Sequence, residues 1–201
     1  MVNNVFLMGM ILFAISSVYF LFFGRIKNGL NSAFLVSFIT LISYAIMWQG
    51  GVSVTTISKI GEPIMSTRWL FYGVSCTLLM LEILKLKGIK GEKLVELLYL
   101  TVIVMFTGFL AARDLTLFKW IYFAISSVAY ILLIMPILAV KSNEGRWINT
   151  YIFFGWTLFP IVFFIAPEGL GLISAMVANL LYLALDFYTK IIFNIQLKSK
   201  S

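Results

Sequence analysis

Seven apolar runs, each close to the ~20 residues a helix needs to cross a hydrocarbon core, take up nearly the whole chain. They fall near 3 to 24, 31 to 48, 64 to 86, 94 to 112, 117 to 140, 147 to 166 and 172 to 195. The segments between them are short, GRIKNGLN, QGGVSVTTISKIGEP, KLKGIKGEK, ARDLT, KSNEGR and APEGLGL, and leave no stretch for a soluble domain. A chain that is 62% hydrophobic and 11% charged, with a mean hydropathy of +1.03, cannot cover itself with a water-compatible surface. The expected fold is therefore an all-α membrane protein, one seven-transmembrane-helix bundle over residues 1–201, with the lipid bilayer as its solvent. The first run has no signal-peptide cleavage pattern and is read as helix one. GGVSVTTIS alternates small and β-branched residues, which points to a small hairpin outside the membrane.

Cysteine and histidine usage removes several chemistries. One cysteine, Cys76, allows no internal disulfide, and the absence of histidine argues against a metal site or a histidine-based triad. The net charge of +7 raises the question of nucleic acid, but the distribution of the basic residues is topological. With the N-terminus outside, Arg25, Lys27, Lys85, Lys87, Lys90, Lys93, Lys141, Arg146, Lys198 and Lys200 face the cytoplasm, and only Lys59, Arg113 and Lys119 face out. Ten against three predicts an outside N-terminus and a cytoplasmic C-terminus, with no nucleic-acid partner.

The last run, LLYLALDFYTKIIFNI, carries Asp186 and Lys190 where each ionised group is unfavourable by roughly 2.5 to 3.5 kcal/mol. Four residues apart, with the acid N-terminal, they share a helical face in the more favourable order for an ion pair. Helical side chains lean toward the N-terminus, so the amine reaches back toward the carboxylate. Two readings follow: a structural ion pair, or a lysine whose amine forms a Schiff base with a carbonyl cofactor, with Asp186 as its counterion.

These residues, with others in order along the chain, resemble the microbial rhodopsins, and the resemblance covers all seven runs. Asp-x-x-x-Lys in helix seven is similar to the family's retinal-binding helix, which implies all-trans retinal bound covalently to Lys190. WTLFPIVFF in helix six is similar to the family's Trp-x-x-aromatic-Pro, implying that Trp156, Phe159 and Pro160 pack on the polyene. The turn PEGLG with Glu168 and the sequence FAIS ending at Ser126 also match the family pattern. The same register implies Tyr72, Leu79, Gly108 and Phe123 around the retinal, with Gly108 leaving room for the ring. Tyr44 on helix two is a weaker candidate to hydrogen-bond Asp186.

Helix three, RWLFYGVSCTLLMLEI, sets the subfamily. Phe71, Ser75 and Glu82 lie along one stripe. Phe71 stands where outward proton pumps of the family carry an accepting aspartate. The Phe, Ser, Glu triplet, with Cys76 directly after the serine, resembles the schizorhodopsins, whose family activity is light-driven inward proton transport. The physical reading agrees. Phe71 accepts nothing, so Asp186 is the lone obvious counterion, and Arg68, about one turn away, is expected to stabilise its charge. Glu82 lies about 10 Å beyond Ser75 toward the cytoplasm and is the natural relay; the alternative is an interfacial acid beside Lys85. Ser75 and Cys76 suit hydrogen bonding near the Schiff base, or else fill a close helix contact. The position of a second outward-release glutamate falls at Ala178, so Glu168 is expected to serve the loop or the surface.

The function expected is thus an inward proton pump rather than an enzyme, located in the cell membrane, with a homotrimer implied by the resemblance alone. A sensory rhodopsin would need a transducer surface, of which the tail QLKSKS gives no sign. A channel would need more polar lining than helices one and two offer, and a chloride pump has little use for Glu82. A transporter without pigment would leave Lys190 unmodified.

Overall fold

The computed structural model describes residues 2–24, 31–50, 55–140 and 145–199. Arg25, Lys27, Lys141, Lys200 and part of the GGVSVTTIS stretch lie outside the described residues. In chain order the elements are α1 (Val2–Phe23), α2 (Ser32–Gln49), β1 (Thr55–Ile57), β2 (Pro63–Met65), α3 (Thr67–Leu86), α4 (Gly91–Arg113), α5 (Phe118–Ala139), α6 (Gly145–Ile165) and α7 (Ala175–Asp186). The backbone then continues from α7 through a π-helical segment (Phe187–Ile192) into α8 (Phe193–Ser199). Among the described residues seven helical stretches are long and apolar enough to span a membrane, the last of them Ala175–Leu197.

The exposed side chains identify the solvent. Phe22, Tyr99 and Met135 are 74%, 67% and 64% exposed, which water would penalise and acyl chains do not. Buried serines, threonines, an arginine and the Asp186–Lys190 pair face inward instead, an inside-polar pattern suited to lipid.

A hairpin forms where one was expected, with its second strand lying beyond the GGVSVTTIS stretch. Thr55 pairs with Met65, Thr56 with Ile64 and Ile57 with Pro63, antiparallel. The predicted start of helix three at residue 64 is therefore corrected to Thr67, because Pro63–Met65 are held as a strand. Proline suits this position, at the limit of a short strand where its missing N–H need not be replaced. At the tip Glu62 N–H donates to Ser58 Oγ at 3.0 Å, while Glu62 Oε2 accepts Ala175 N–H at 3.2 Å. The hairpin thereby places a carboxylate at the N-terminus of α7, where the helix dipole favours it. This end of the bundle is called the hairpin end below, and the opposite one, at α8, the tail end.

Among lipid-embedded helices association depends on close packing and polar contacts rather than on water exclusion. Gly9 of α1 shows why. A Cβ there would fall 2.4 Å from Cδ1 of Tyr44, so only glycine lets the α2 tyrosine lie flat against α1. Phe13, one turn on, stacks on the same ring with centroids 5.7 Å apart. Asn31 joins these helices at the tail end, donating to Phe20 O at 2.7 Å and capping α2 by accepting Phe34 N–H at 3.0 Å. Ser126 of α5 donates to Val104 O of α4 at 2.9 Å, and Tyr130 of α5 meets Thr157 of α6 at 2.8 Å.

Gly9→Ala is expected to displace Tyr44 and to lower stability by about 1 to 3 kcal/mol, the usual range for overpacking. Thermal unfolding of the detergent-solubilised protein measures this, and an unchanged midpoint would show that α1 and α2 can separate freely.

Candidate functional site

α7 and the π-helical segment that continues it bring Asp186 and Lys190 to the centre of the bundle, at 0% and 1% exposure. Lys190 Nζ lies 2.9 Å from Asp186 Oδ1, an ion pair whose angles fall outside hydrogen-bond geometry. The other carboxylate oxygen is held separately. Tyr44 Oη and Tyr72 Oη each donate to Asp186 Oδ2 at 2.8 Å. Lys190 Nζ also stands 4.0 Å from the centroid of the Tyr72 ring, a cation–π contact strengthened by desolvation. Tyr72, expected only as a pocket wall, thus touches both members of the pair, and Tyr44 makes the hydrogen bond expected of it.

The helix that carries the lysine is not a continuous α-helix, contrary to the regular span read from the sequence. In a π turn the backbone bonds run i to i+5, and the register change leaves carbonyls that need other partners. Tyr151 Oη donates to Thr189 O at 2.5 Å, and Asn194 Nδ2 donates to Lys190 O at 2.6 Å. Trp156 Nε1 approaches Tyr151 Oη at 3.5 Å. Tyr151 and Asn194 are site residues missed from the sequence, where FYTKII contains no glycine or proline to mark the change.

Arg68 is 1% exposed, on the hairpin side of the pair. Its direct partner is Asn179, whose Oδ1 accepts from Nη2 at 2.8 Å, and its guanidinium lies 4.5 Å over the Tyr182 ring. No salt bridge joins it to Asp186 among the described residues, so its influence there is longer-ranged than a contact. Asn179 and Tyr182 were not anticipated; they stand seven and four residues before Asp186, a helical spacing that could have found them.

A mostly apolar cavity begins beside the pair. Of the residues expected around a polyene, Tyr72, Leu79, Ser126, Trp156, Phe159 and Pro160 line it, as does Cys76. Trp69, Val104, Met105, Ser127, Tyr130 and Thr189 complete the wall and were not anticipated. Gly108 faces the Trp69 indole, where a Cβ would lie 3.3 Å from Cε3, so the room it leaves is filled by that indole. Phe123 stacks on Phe163 with centroids 5.1 Å apart.

Along α3, Phe71 is half-buried and Ser75 fully buried, with Cys76 as its hydrogen-bonding neighbour. Glu82 is 6% exposed while Lys85 is exposed. The acid therefore points into the bundle rather than sharing the interface with that lysine. Glu168, expected to serve the loop or the surface, is buried too, at 6% exposure. Among the described residues no cluster of acids and cysteine could hold a metal ion.

Comparison with known proteins agrees with this geometry. The sequence model of the family described as Bacteriorhodopsin-like protein matches residues 1–198. Sensory rhodopsin III of Haloarcula marismortui is 24% identical over 194 residues, covering 89% of this chain and 83% of that protein. Bacteriorhodopsin-II of the same organism is 24% identical over 183 residues, covering 83% and 73% respectively. The crystal structure of schizorhodopsin 4 superposes with a TM-score of 0.89 at 36% identity, covering 98% of this chain and all of that one. A family match over almost every residue, on seven spans that enclose a buried lysine and aspartate, places this multi-pass membrane protein among the microbial rhodopsins.

Proposed function

We propose that this protein is a light-driven inward proton pump that carries retinal on Lys190, with the hairpin end outside and the tail end in the cytoplasm. Members of the family bind retinal through a lysine. Lys190 fits that role because it is buried, and its Nζ lies over Tyr72, which is also a wall of the apolar cavity. The cavity runs from Tyr72, Cys76 and Thr189 past Trp156, Phe159 and Pro160 to Ser126, Ser127 and Tyr130, a lining suited to a long apolar chain. Retinal held as an imine on Lys190 would supply absorption of visible light and an isomerisation that re-aims the proton on that nitrogen.

The residues of the chain then decide where the proton goes. The observation that carries the direction is the asymmetry of α3: apolar Phe71 on the hairpin side and buried Glu82 on the tail side. On the hairpin side Asp186 is already engaged, Oδ1 by Lys190 and Oδ2 by two phenolic donors, which saturates the lone pairs of Oδ2. On the tail side Ser75 offers a buried hydroxyl, and Glu82 lies about two turns further. Glu82 receives or guides the proton toward the cytoplasm, and Asp186 stays behind as the counter-anion. Similarity to schizorhodopsin 4 supports the same reading, because the resemblance to that family implies inward transport. The protein is on this reading a transporter and not an enzyme.

Lys190→Ala is expected to abolish the covalent pigment, checked by hydride trapping with all-trans retinal and peptide mapping. A trapped adduct elsewhere would displace the assignment of α7.

Asp186→Asn leaves the buried nitrogen without its anion, a state disfavoured by several kcal/mol. The expected result is loss of visible colour at neutral pH in favour of near-ultraviolet absorbance. An unchanged spectrum would mean that another group carries the charge.

Under illumination, cells or vesicles of known orientation are expected to show external alkalinisation that a protonophore abolishes. Glu82→Gln should reduce it by about tenfold or more, since it keeps the shape but removes the titratable site. External acidification would overturn the direction, and full transport in the variant would remove the relay role.

A further inference from the structure

Glu168 is a buried acid that has no part in the transfer from Lys190 to Glu82. It sits in the connection between α6 and α7, whose backbone is folded tightly on itself. Gly169 N–H and Gly171 N–H both donate to Ala166 O, at 3.0 and 2.9 Å, and Leu170 N–H donates to Phe164 O at 2.8 Å. A Cβ on Gly169 would fall 2.2 Å from Phe164 O, so this turn requires glycine. From α5, Lys119 Nζ donates to the carbonyls of Glu168 and Gly169 at 3.1 and 2.8 Å. The turn's own hydrogen bonds and Lys119 of α5 therefore fix the loop that carries Glu168.

Two environments meet at Glu168. On the outer side is a cavity of about 110 Å³ whose wall includes Lys59, Ile64, Leu115, Lys119 and Glu168 itself, room for several waters. On the inner side, Arg68 and Tyr182 act electrostatically on the carboxyl, and both are fully buried. Tyr182 is a hydrogen-bonding neighbour of the Glu168 carboxyl, and Arg68 Nε has no hydrogen-bond partner among the described residues. Buried polar groups of this kind ordinarily pair with one another or through water, which makes the row from Glu168 to Arg68 a path along which a proton can be passed. Burial pushes the Glu168 carboxyl above the ordinary carboxylate range, with its own backbone N–H and Arg68 pulling the other way, which brings it nearer the pH at which an acid can both gain and lose a proton.

We propose that Glu168 is the proton-uptake group of the hairpin end. It takes a proton from the outer cavity and delivers it past Tyr182 and Arg68 toward Asp186, where it restores the proton that Lys190 has lost toward Glu82. This assignment rests on the inward reading above. The groups facing Glu168 are Arg68 from α3, Lys119 from α5, Tyr182 from α7 and Lys59 from the hairpin, all of types that ordinarily titrate well above neutrality. Glu168 is thus the group expected to set the dependence on external pH.

The test is flash photometry on the retinal-bound protein in oriented vesicles, with transport measured on the same sample. Glu168→Gln is expected to leave the early proton-release phase unchanged and to slow the final recovery of the dark pigment by about 10²-fold. Recovery should then scale tenfold per unit of external pH, and Glu168→Asp or a small weak acid such as azide should restore the rate. Tyr182→Phe, which removes the hydroxyl and keeps the ring, is expected to slow the same phase and serves if the first variant fails to fold. Inward transport in the unsubstituted protein, with recovery and its pH profile unchanged in these variants, would overturn the uptake role and leave the inward assignment standing. Slow recovery that neither acid restores would show a structural role only. External acidification by the unsubstituted protein would overturn the inward assignment itself, and the uptake role with it.

Discussion

The rest of the structure depends on a single ion pair in a place with almost no water. Separately, a buried carboxylate and a buried ammonium are each several kcal/mol unfavourable, and their attraction repays this only when geometry and hydrogen bonds are complete. Here Asp186 Oδ1 takes the lysine and Oδ2 takes two phenols. One phenol comes from α2 and the other from α3, and Tyr44 is in turn seated by Gly9 and Phe13 of α1. Four helices are therefore tied to one carboxylate. In a bilayer, where burying apolar area gives helices little reason to prefer one neighbour, this polar centre fixes their relative positions.

The spans were legible because length and hydropathy are nearly sufficient to define a transmembrane helix, and most observed bounds fall within three residues of those read from the sequence. The start of α3, read three residues early, was lost to a strand pairing that skips residues 58–62, beyond the reach of local pattern. The Asp186–Lys190 face was legible from spacing. The π turn around it was not, because its stabilising partners, Tyr151 and Asn194, act through a neighbouring helix and the following turn. Arg68 was correctly placed beside the site, yet its hydrogen bond goes to Asn179; an arginine on α3 meets whatever the opposing helix offers at that height. The burial of Glu168 within its loop was not legible for the converse reason. Loop residues are usually solvated, and only the fold of the connection, pinned by Lys119, turns this one inward.

The two halves of the bundle differ in a way that bears on vectorial transport. Toward the hairpin end the interior holds Tyr44, Tyr72, Arg68, Asn179, Tyr182 and Glu168, a succession of polar groups all buried. Toward the tail end, beyond Ser75, the wall around α3 is built of Leu79, Met80, Ile83 and Leu84, each at 2% exposure or less, with Leu97 and Phe193 opposite. A polar interior can hold water and pass protons at rest, whereas an aliphatic one excludes it and presents a barrier. On the proposed reading the barrier lies on the release side, between Lys190 and Glu82. On that reading the aliphatic stretch resists an inward leak in the dark and the light-driven step would have to open it, after which the polar half would resupply Lys190 without having to move. The direction of transport is then set less by the strength of any one acid than by which half of the bundle is closed at rest.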